Sequence, residues 1–139
     1  MKIRDWMTSV VVSVAPDTSV KEAFLVMKTN GFRHLPVVKS GKLVGFVTDR
    51  DLRRPQLSDV FREWNELYRI SNDIHVEDVM ITDVVAVTPE TDLVQAASIL
   101  VEKKIGAVPV VDEEGSKTLV GIITIYDFLK ALVECSKKK

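Results

Sequence analysis

The chain has 139 residues, of which 46% are hydrophobic, so it is long and apolar enough for one domain or two very small ones and is not expected to be disordered. Its 19 basic and 20 acidic residues leave a net charge of −1, which argues against nucleic-acid binding. It has no apolar run of about 18 residues and a single cysteine, Cys135. These features exclude a membrane span, a disulfide framework and a four-cysteine metal site, and favour a cytoplasmic protein.

The first elements of the chain are a predicted strand and a predicted helix. The β-branched run 10–14 indicates a short strand, and Pro16 stops it. One apolar helix face follows at the spacing i, i+3, i+4, i+7, formed by Val20, Ala23, Phe24 and Met27. Candidate N-caps directly precede this face at Asp17, Thr18 and Ser19.

A hairpin and a second helix complete this first pattern. The runs 35–38 and 43–47 are apolar and predict two strands around a turn at 39–42. A short helix is predicted to begin within 48–52. Residues 1–55 therefore form a first β-α-β-β-α repeat.

The next segment, 56–73, has a different pattern. Its apolar residues recur at helical spacing with charges between them, and they are Leu57, Val60, Phe61, Trp64, Leu67 and Tyr68. The segment predicts an inserted amphipathic helix. Packing in the core or at a dimer interface is the ordinary role of such a face, and docking of a partner protein is the alternative.

The remainder of the chain repeats the first pattern. Met7, Pro16, Ala23 and Pro36 recur 73 residues later as Met80, Pro89, Ala96 and Pro109. Gly45, Thr48 and Asp51 recur 76 residues later as Gly121, Thr124 and Asp127. Three extra residues therefore lie within 112–118, where a hairpin turn tolerates insertion.

The second repeat, 74–135, predicts the same elements in the same order. A strand over 84–87 precedes a helix face formed by Leu93, Ala96, Ala97 and Leu100. A hairpin over 108–111 and 119–123 leads into a last helix from Thr124, and a basic tail follows at 136–139. One copy of about 50 residues is too small for a convincing core. We therefore expect an α/β (α+β) fold in which two copies pack sheet to sheet with pseudo-twofold symmetry.

Each copy resembles the CBS domain, and the pair resembles a Bateman module. The first copy carries the matching motifs at 5–7, 14–16, 22–23, 35–38, 41–45 and 48–52. The second copy carries them at 78–80, 87–89, 96–97, 108–112, 119–121 and 124–127. The spacing of these motifs and the inserted helix are also similar to those of stand-alone prokaryotic CBS-pair proteins, including the front half of the acetoin-utilisation type.

The resemblance implies a regulatory module without catalysis, which binds AMP, ADP, ATP or S-adenosylmethionine in clefts between the repeats and signals to an unknown effector protein. It also implies that the module forms a homodimer and requires no cofactor. No catalytic or metal-binding motif is present in the sequence. Two alternatives remain open: an S-adenosylmethionine sensor, and a dimerisation or docking module with no ligand.

The resemblance places the main nucleotide site at Thr48 and Asp51. The carboxylate would accept the two ribose hydroxyls, and Arg33, His34 and Arg50 would face the phosphates. His34 is titratable, so affinity would strengthen as the pH falls through its pKa. Taken alone, Thr48 and Asp51 form a capping box, and Arg33 and His34 a solvated strand edge.

The two sites are expected to be unequal. In the main site, adenine would lie against the opposite copy, namely Val85, Val87, Gly106 and Ala107. The second site would comprise Thr124, Tyr126, Asp127, Val12 and Val14. Gly106, Ala107 and Tyr126 replace the cations of the first copy, so the second site would be empty, weak or suited to a less negative ligand. The nearby Lys103 and Lys104 are ordinarily solvated on a helix end.

Overall fold

The computed structural model describes residues 1–52 and 74–137, which form a mixed α/β fold of helices and small antiparallel sheets. The chain divides into two compact units. The Asp51 unit is Val12–Val84, and the Asp127 unit combines Met1–Val11 with Val85–Lys139. The predicted inserted helix over 56–73 lies outside the described residues. No helix in the described ranges is both long and apolar enough to cross a membrane.

The first helix of the Asp51 unit, α1, spans Val20–Asn30. Its N-cap is Ser19, whose hydroxyl accepts a hydrogen bond from the Glu22 N–H at 3.1 Å. Gly31 ends the helix with a φ of 71°, a left-handed conformation that glycine adopts without strain. Within α1, Val20, Ala23 and Met27 are buried. The predicted helix face is therefore confirmed.

The hairpin of the Asp51 unit pairs β1, His34–Lys39, with β2, Lys42–Thr48. Ser40 and Gly41 connect the strands, and both have positive φ values, 52° and 78°. Such a two-residue turn matches the natural twist of an antiparallel pair. A short helix, α2, follows directly over Asp49–Leu52.

The Asp127 unit contains the same elements. Helix α3 spans Leu93–Lys103 and buries Leu93, Ala96 and Leu100 against the unit's core. Strands β3 (Ala107–Val111) and β4 (Leu119–Thr124) pair antiparallel, and the inserted residues lie in the turn between them as predicted. Helix α4 then runs over Ile125–Lys137, so the first two residues of the basic tail are helical.

The predicted strands over 10–14 and 84–87 were wrong in extent. Each is reduced to one bridge to the hairpin, at Val14 and at Val87. The N–H of Val14 donates to the Pro36 carbonyl at 3.0 Å, and the Val38 N–H donates to the Val14 carbonyl at 2.8 Å. The next bond of a parallel ladder would need the N–H that Pro36 lacks. Pro109 stops the ladder at Val87 for the same reason.

Each unit is completed by the segment that precedes the other hairpin in the chain. In the Asp127 unit, Thr8 pairs with Ile122. In the Asp51 unit, Ile81 pairs with Phe46 through two backbone hydrogen bonds of 2.9 Å. The compact units therefore do not coincide with the sequence repeats 1–55 and 74–135, since these two segments are exchanged.

Two glycines allow this close approach. A Cβ at Gly121 would lie 2.9 Å from the Thr8 carbonyl oxygen, and a Cβ at Gly45 would lie 3.1 Å from the Ile81 carbonyl oxygen. A methionine side chain, Met7 or Met80, also packs over each position. The repeated glycines are therefore required where these segments cross the hairpins.

Candidate functional site

The centre of the candidate site is the Thr48–Asp51 pair at the start of α2. Asp51 Oδ2 accepts hydrogen bonds from the Thr48 backbone N–H at 2.9 Å and from the Thr48 hydroxyl at 3.1 Å. The Asp51 N–H in turn donates to Thr48 Oγ1 at 3.1 Å. These reciprocal bonds are a capping box, as the spacing of the two residues predicts. They fix the orientation of a carboxylate that is only 8% exposed.

The end of the hairpin brings the predicted basic residues to this pair. His34 is the residue opposite Thr48 in the β1–β2 register. The Asp49 N–H donates to the Arg33 carbonyl at 3.1 Å, which joins the residue before β1 to the first residue of α2. Three predicted residues, Arg33, His34 and Thr48, are therefore neighbours. Arg50 is exposed within α2.

His34 is half-buried, and its surroundings determine its charge. Its ring centroid lies 6.1 Å from that of Phe46 on β2. Burial lowers the pKa of His34 below its ordinary value of 6.5 and is the largest influence on it. Asp49 and Asp51 act in the opposite direction and raise the pKa, whereas Arg33 lowers it further. The imidazole is therefore neutral at pH 7.

The end of the hairpin in the Asp127 unit has the same backbone arrangement but different side chains. Asp127 Oδ2 accepts from the Thr124 N–H at 2.9 Å and from the Thr124 hydroxyl at 3.3 Å. Ala107 is opposite Thr124, and the Ile125 N–H donates to the Gly106 carbonyl at 3.0 Å. The arrangement of the first unit is thus repeated, but alanine and glycine occupy the places of His34 and Arg33.

The buried Asp127 has a basic partner on its own helix. Lys130 Nζ lies 3.4 Å from Asp127 Oδ1 and 5.1 Å from the centroid of the Tyr126 ring. The lysine side chain is half-exposed, so this ion pair contributes little to stability. This pair places a positive charge at the carboxylate, whereas the residue before the hairpin, Gly106, has none.

The remaining predicted site residues divide between the units. Val12 and Val14, assigned above to the second site, belong to the Asp51 unit. Four residues assigned to the main site belong to the Asp127 unit: Val85, Val87, Gly106 and Ala107. Val14 and Val87 are buried beside the hairpin of their own unit, and Val12 is 37% exposed. Val14 forms a bridge to Val37 and Val87 forms one to Val110, each within the unit to which it belongs.

The sequence analysis missed two charged residues near the two threonine–aspartate pairs. The charge of Asp49 raises the pKa of His34. Lys130 engages Asp127. A signal for each was present, since Asp49 adjoins Thr48 and Lys130 follows Asp127 by three residues, the spacing of neighbours on one helix face.

Comparison with known proteins assigns both halves of the chain to one family. The family model described as "CBS domain" matches residues 3–57 and 76–134. Protein MJ1225 of Methanocaldococcus jannaschii is 37% identical over 131 residues, which cover 92% of this chain and 46% of that protein. Its crystal structure aligns with a TM-score of 0.80, at 34% identity over 94% of this chain and 47% of that one. The chain spans about half the length of these curated relatives.

Two further solved structures match nearly end to end. A Vibrio cholerae protein assigned to acetoin utilisation, AcuB, is 31% identical with a TM-score of 0.81, covering 100% of this chain and 97% of that one. CBSX2, a CBS-pair protein of Arabidopsis thaliana, was solved in complex with AMP. That complex is 29% identical with a TM-score of 0.78, covering 97% of this chain and 98% of that one. The resemblance inferred from the repeated motifs is confirmed.

Proposed function

The chain belongs to the CBS-domain family, and on this basis we propose that it is a regulatory module whose Asp51 unit binds an adenine nucleotide. One observation carries the proposal: the β1–β2 register brings His34 beside Thr48, and a backbone bond joins Arg33 to Asp49. Basic side chains suited to phosphate thus lie next to a fixed carboxylate suited to ribose.

The capping bonds and the proposed ribose contact are compatible. An ionised carboxylate offers about four acceptor positions in all. The bonds from Thr48 reach Oδ2 and hold the carboxylate in one rotamer. Asp51 would therefore present a rigid acceptor to two vicinal hydroxyls. The Thr48 hydroxyl donates its single proton to Asp51 Oδ2, so a phosphate contact from this hydroxyl would replace that bond.

The AMP complex of CBSX2 supports the ligand class. That protein is similar over nearly the whole length of both chains. The preference among AMP, ADP and ATP is part of the proposal, as is the transfer of the signal to an effector protein. A ligand shifts such a regulatory equilibrium by no more than its differential affinity for the two states.

The Asp127 unit favours a different ligand. The residues opposite and before its threonine are Ala107 and Gly106, and Tyr126 stands in place of Arg50. With no cation at these three positions, a phosphate would gain little. We propose that this unit is empty or binds an adenosine compound without phosphate, such as S-adenosylmethionine.

A homodimer is part of the same proposal. The outer face of α4 exposes the side chains of Ile125, Leu129, Leu132 and Val133 by 51–64%. With Tyr126, this apolar face is on the order of 500 Å², the size of the largest patch on a typical monomer, which is often functional. Two copies would bury about 1,000 Å² in total, near the lower limit for a specific interface. Light scattering should give a dimer, and Leu132→Glu should give a monomer; an unchanged mass in Leu132→Glu contradicts this interface.

The decisive experiment is thermal unfolding with AMP, ADP, ATP, S-adenosylmethionine and GTP. A ligand at 100 times its dissociation constant adds about 2.7 kcal/mol, which raises the midpoint by roughly 5–15 °C. We expect this shift with an adenine nucleotide. Asp51→Asn should lose most of it, because the amide still caps the helix but no longer accepts two hydroxyls as an anion. The matched variant Asp127→Asn should keep it.

Other outcomes would redirect the proposal. A shift that survives in Asp51→Asn and disappears in Asp127→Asn would place the nucleotide in the other unit. A shift with S-adenosylmethionine alone would indicate the alternative sensor. No shift with any compound would leave a docking or dimerisation module without a ligand.

A further inference from the structure

Within the described residues 33–34 and 48–51, the formal charges sum to zero when His34 is neutral. Arg33 and Arg50 carry two positive charges, and Asp49 and Asp51 carry two negative ones. These residues lie on the three segments that meet at the end of the hairpin: the residue before β1, β1 itself and α2. Protonation of His34 is the one change near neutral pH that gives this group a net positive charge.

We propose that binding of a phosphorylated ligand in the Asp51 unit is coupled to uptake of a proton by His34, so that the affinity rises as the pH falls. This inference rests on the proposed function and adds a regulatory property to it. The module would respond to acidification and to nucleotide together.

The geometry keeps the imidazole at the site. His34 begins β1, its backbone is paired with Thr48, and its ring packs toward Phe46 on the neighbouring strand. The charged groups that act on it are Arg33 from the preceding residue and Asp49 and Asp51 from α2. A phosphate held beside Thr48 would therefore add its negative charge close to a half-buried imidazole.

The direction of the coupling follows from the electrostatics. Without ligand, burial lowers the pKa of His34 below 6.5, so the ring is mostly neutral at pH 7. A nearby phosphate favours the protonated form and raises the pKa. Between the free and the bound pKa, binding takes up a proton, and affinity falls by up to about tenfold for each unit of rising pH.

The ligand has a protonation equilibrium of its own, and it works in the opposite direction. A phosphate monoester has a second pKa near 6, and a cationic site favours the dianion, which releases a proton on binding. The contribution of His34 is therefore the difference between the wild type and a variant that cannot titrate. His34→Gln retains a side-chain hydrogen-bond donor and removes the titration.

The experiment is calorimetric titration of AMP into the protein at pH 6.5 and 7.5, in buffers with different enthalpies of ionisation. We expect the wild type to take up more protons than His34→Gln, by a difference approaching but not exceeding about one. The affinity of His34→Gln should depend less on pH. His75→Gln is the matched control, because His75 is the other histidine of the chain, and it should behave as the wild type.

A second measurement does not depend on a variant. The imidazole resonances of the two histidines can be titrated in the wild type with and without AMP, and the pKa of His34 should be higher in the complex. Binding with equal proton uptake in wild type and His34→Gln, or an unchanged His34 pKa, would overturn this inference and leave the proposed function intact. Absence of AMP, ADP and ATP binding to the wild type would overturn both.

Discussion

The hairpins of the Asp51 unit and the Asp127 unit end in the same backbone arrangement. The carboxylate of each unit accepts from its threonine N–H at 2.9 Å. A backbone bond of 3.1 Å in one unit and 3.0 Å in the other joins the next residue to the one before the hairpin. The side chains on this shared frame differ completely, since Arg33 and His34 correspond to Gly106 and Ala107.

The difference shows that the residues that set the backbone and the residues that line the candidate site can vary independently. Threonine, aspartate, proline and glycine set the backbone, and both units retain them. The positions that do not set the backbone differ in charge between the two units. Under the proposed function, these positions determine which ligand charge each unit accepts. The experiments below test the two groups of residues separately, from the largest expected effect to the smallest.

The largest effect is expected from removing the cations that distinguish the units. Arg33→Ala with His34→Ala makes this position of the Asp51 unit resemble Gly106 and Ala107. Charge-assisted hydrogen bonds contribute about 1.5–3 kcal/mol each, so the loss of two should lower AMP affinity by roughly 100-fold or more at pH 6.5. Lys103→Ala, the matched loss of a cation near the other hairpin, should change it less than about threefold. Calorimetry measures both, and equal losses would contradict the assignment of phosphate to the Asp51 unit.

A smaller effect, on the free energy of unfolding, is expected from substituting the glycines where the exchanged segments cross the hairpins. Gly121→Ala places a Cβ 2.9 Å from the Thr8 carbonyl oxygen, so backbone must move, at a cost of about 1–3 kcal/mol of unfolding free energy. Gly45→Ala should cost less, because its backbone contact is 3.1 Å and the flexible Met80 side chain can move aside. Urea unfolding measures both. A greater loss in Gly45→Ala would show that Met80, not backbone, limits the space.

The threonine hydroxyls should contribute more to the Asp51 unit than to the Asp127 unit. Both donate to the carboxylate three residues later, but Thr48 Oγ1 also accepts from the Asp51 N–H. Thr48→Ala should lower the unfolding free energy by about 1 kcal/mol, and Thr124→Ala should lower it by less. Only Thr48→Ala should also weaken AMP binding. Chemical unfolding together with a binding titration checks both statements, and a binding defect in Thr124→Ala would mean that the units are not functionally distinct.

The smallest effect is the pH dependence of stability without ligand. Because burial lowers the pKa of His34 below 6.5 in the folded protein, the unfolded chain binds more protons there, and stability falls as the pH drops from 6.5 through the folded pKa. Unfolding free energies at pH 8 and pH 5.5 should differ less in His34→Gln than in the wild type. A steeper dependence in His34→Gln would mean that folding raises the pKa of His34.

Several features of the protein follow from short-range patterns in the sequence. The apolar spacing of Val20, Ala23 and Met27 fixes the buried face of α1, because a helix has only one face with that period. The repeated Thr-x-x-Asp spacing determines the capped start of α2 and of α4. The clustering of Arg33 and His34 with Thr48 was expected from the resemblance to the CBS family, since the two basic residues taken alone indicate a solvated strand edge. Each of these depends on residues within about 15 positions of one another along the chain.

Other features depended on contacts that local patterns do not specify. The β-branched residues at 10–14 indicate that this segment can form a strand. The pairing is limited to Val14 because Pro36 has no N–H to continue the ladder. Asp49 was overlooked because its effect on His34 depends on the fold of the hairpin end.

The sequence by itself determined the repeat, the family, the element order and the difference in charge between the two copies. The tertiary structure alone decided that residues 1–11 complete the unit of the second hairpin, whereas residues 74–84 complete that of the first. The physical reason is that an apolar pattern states which residues must be buried and not which surface covers them. Ile3 and Val76 are equally buried, each in the core of the other repeat's hairpin.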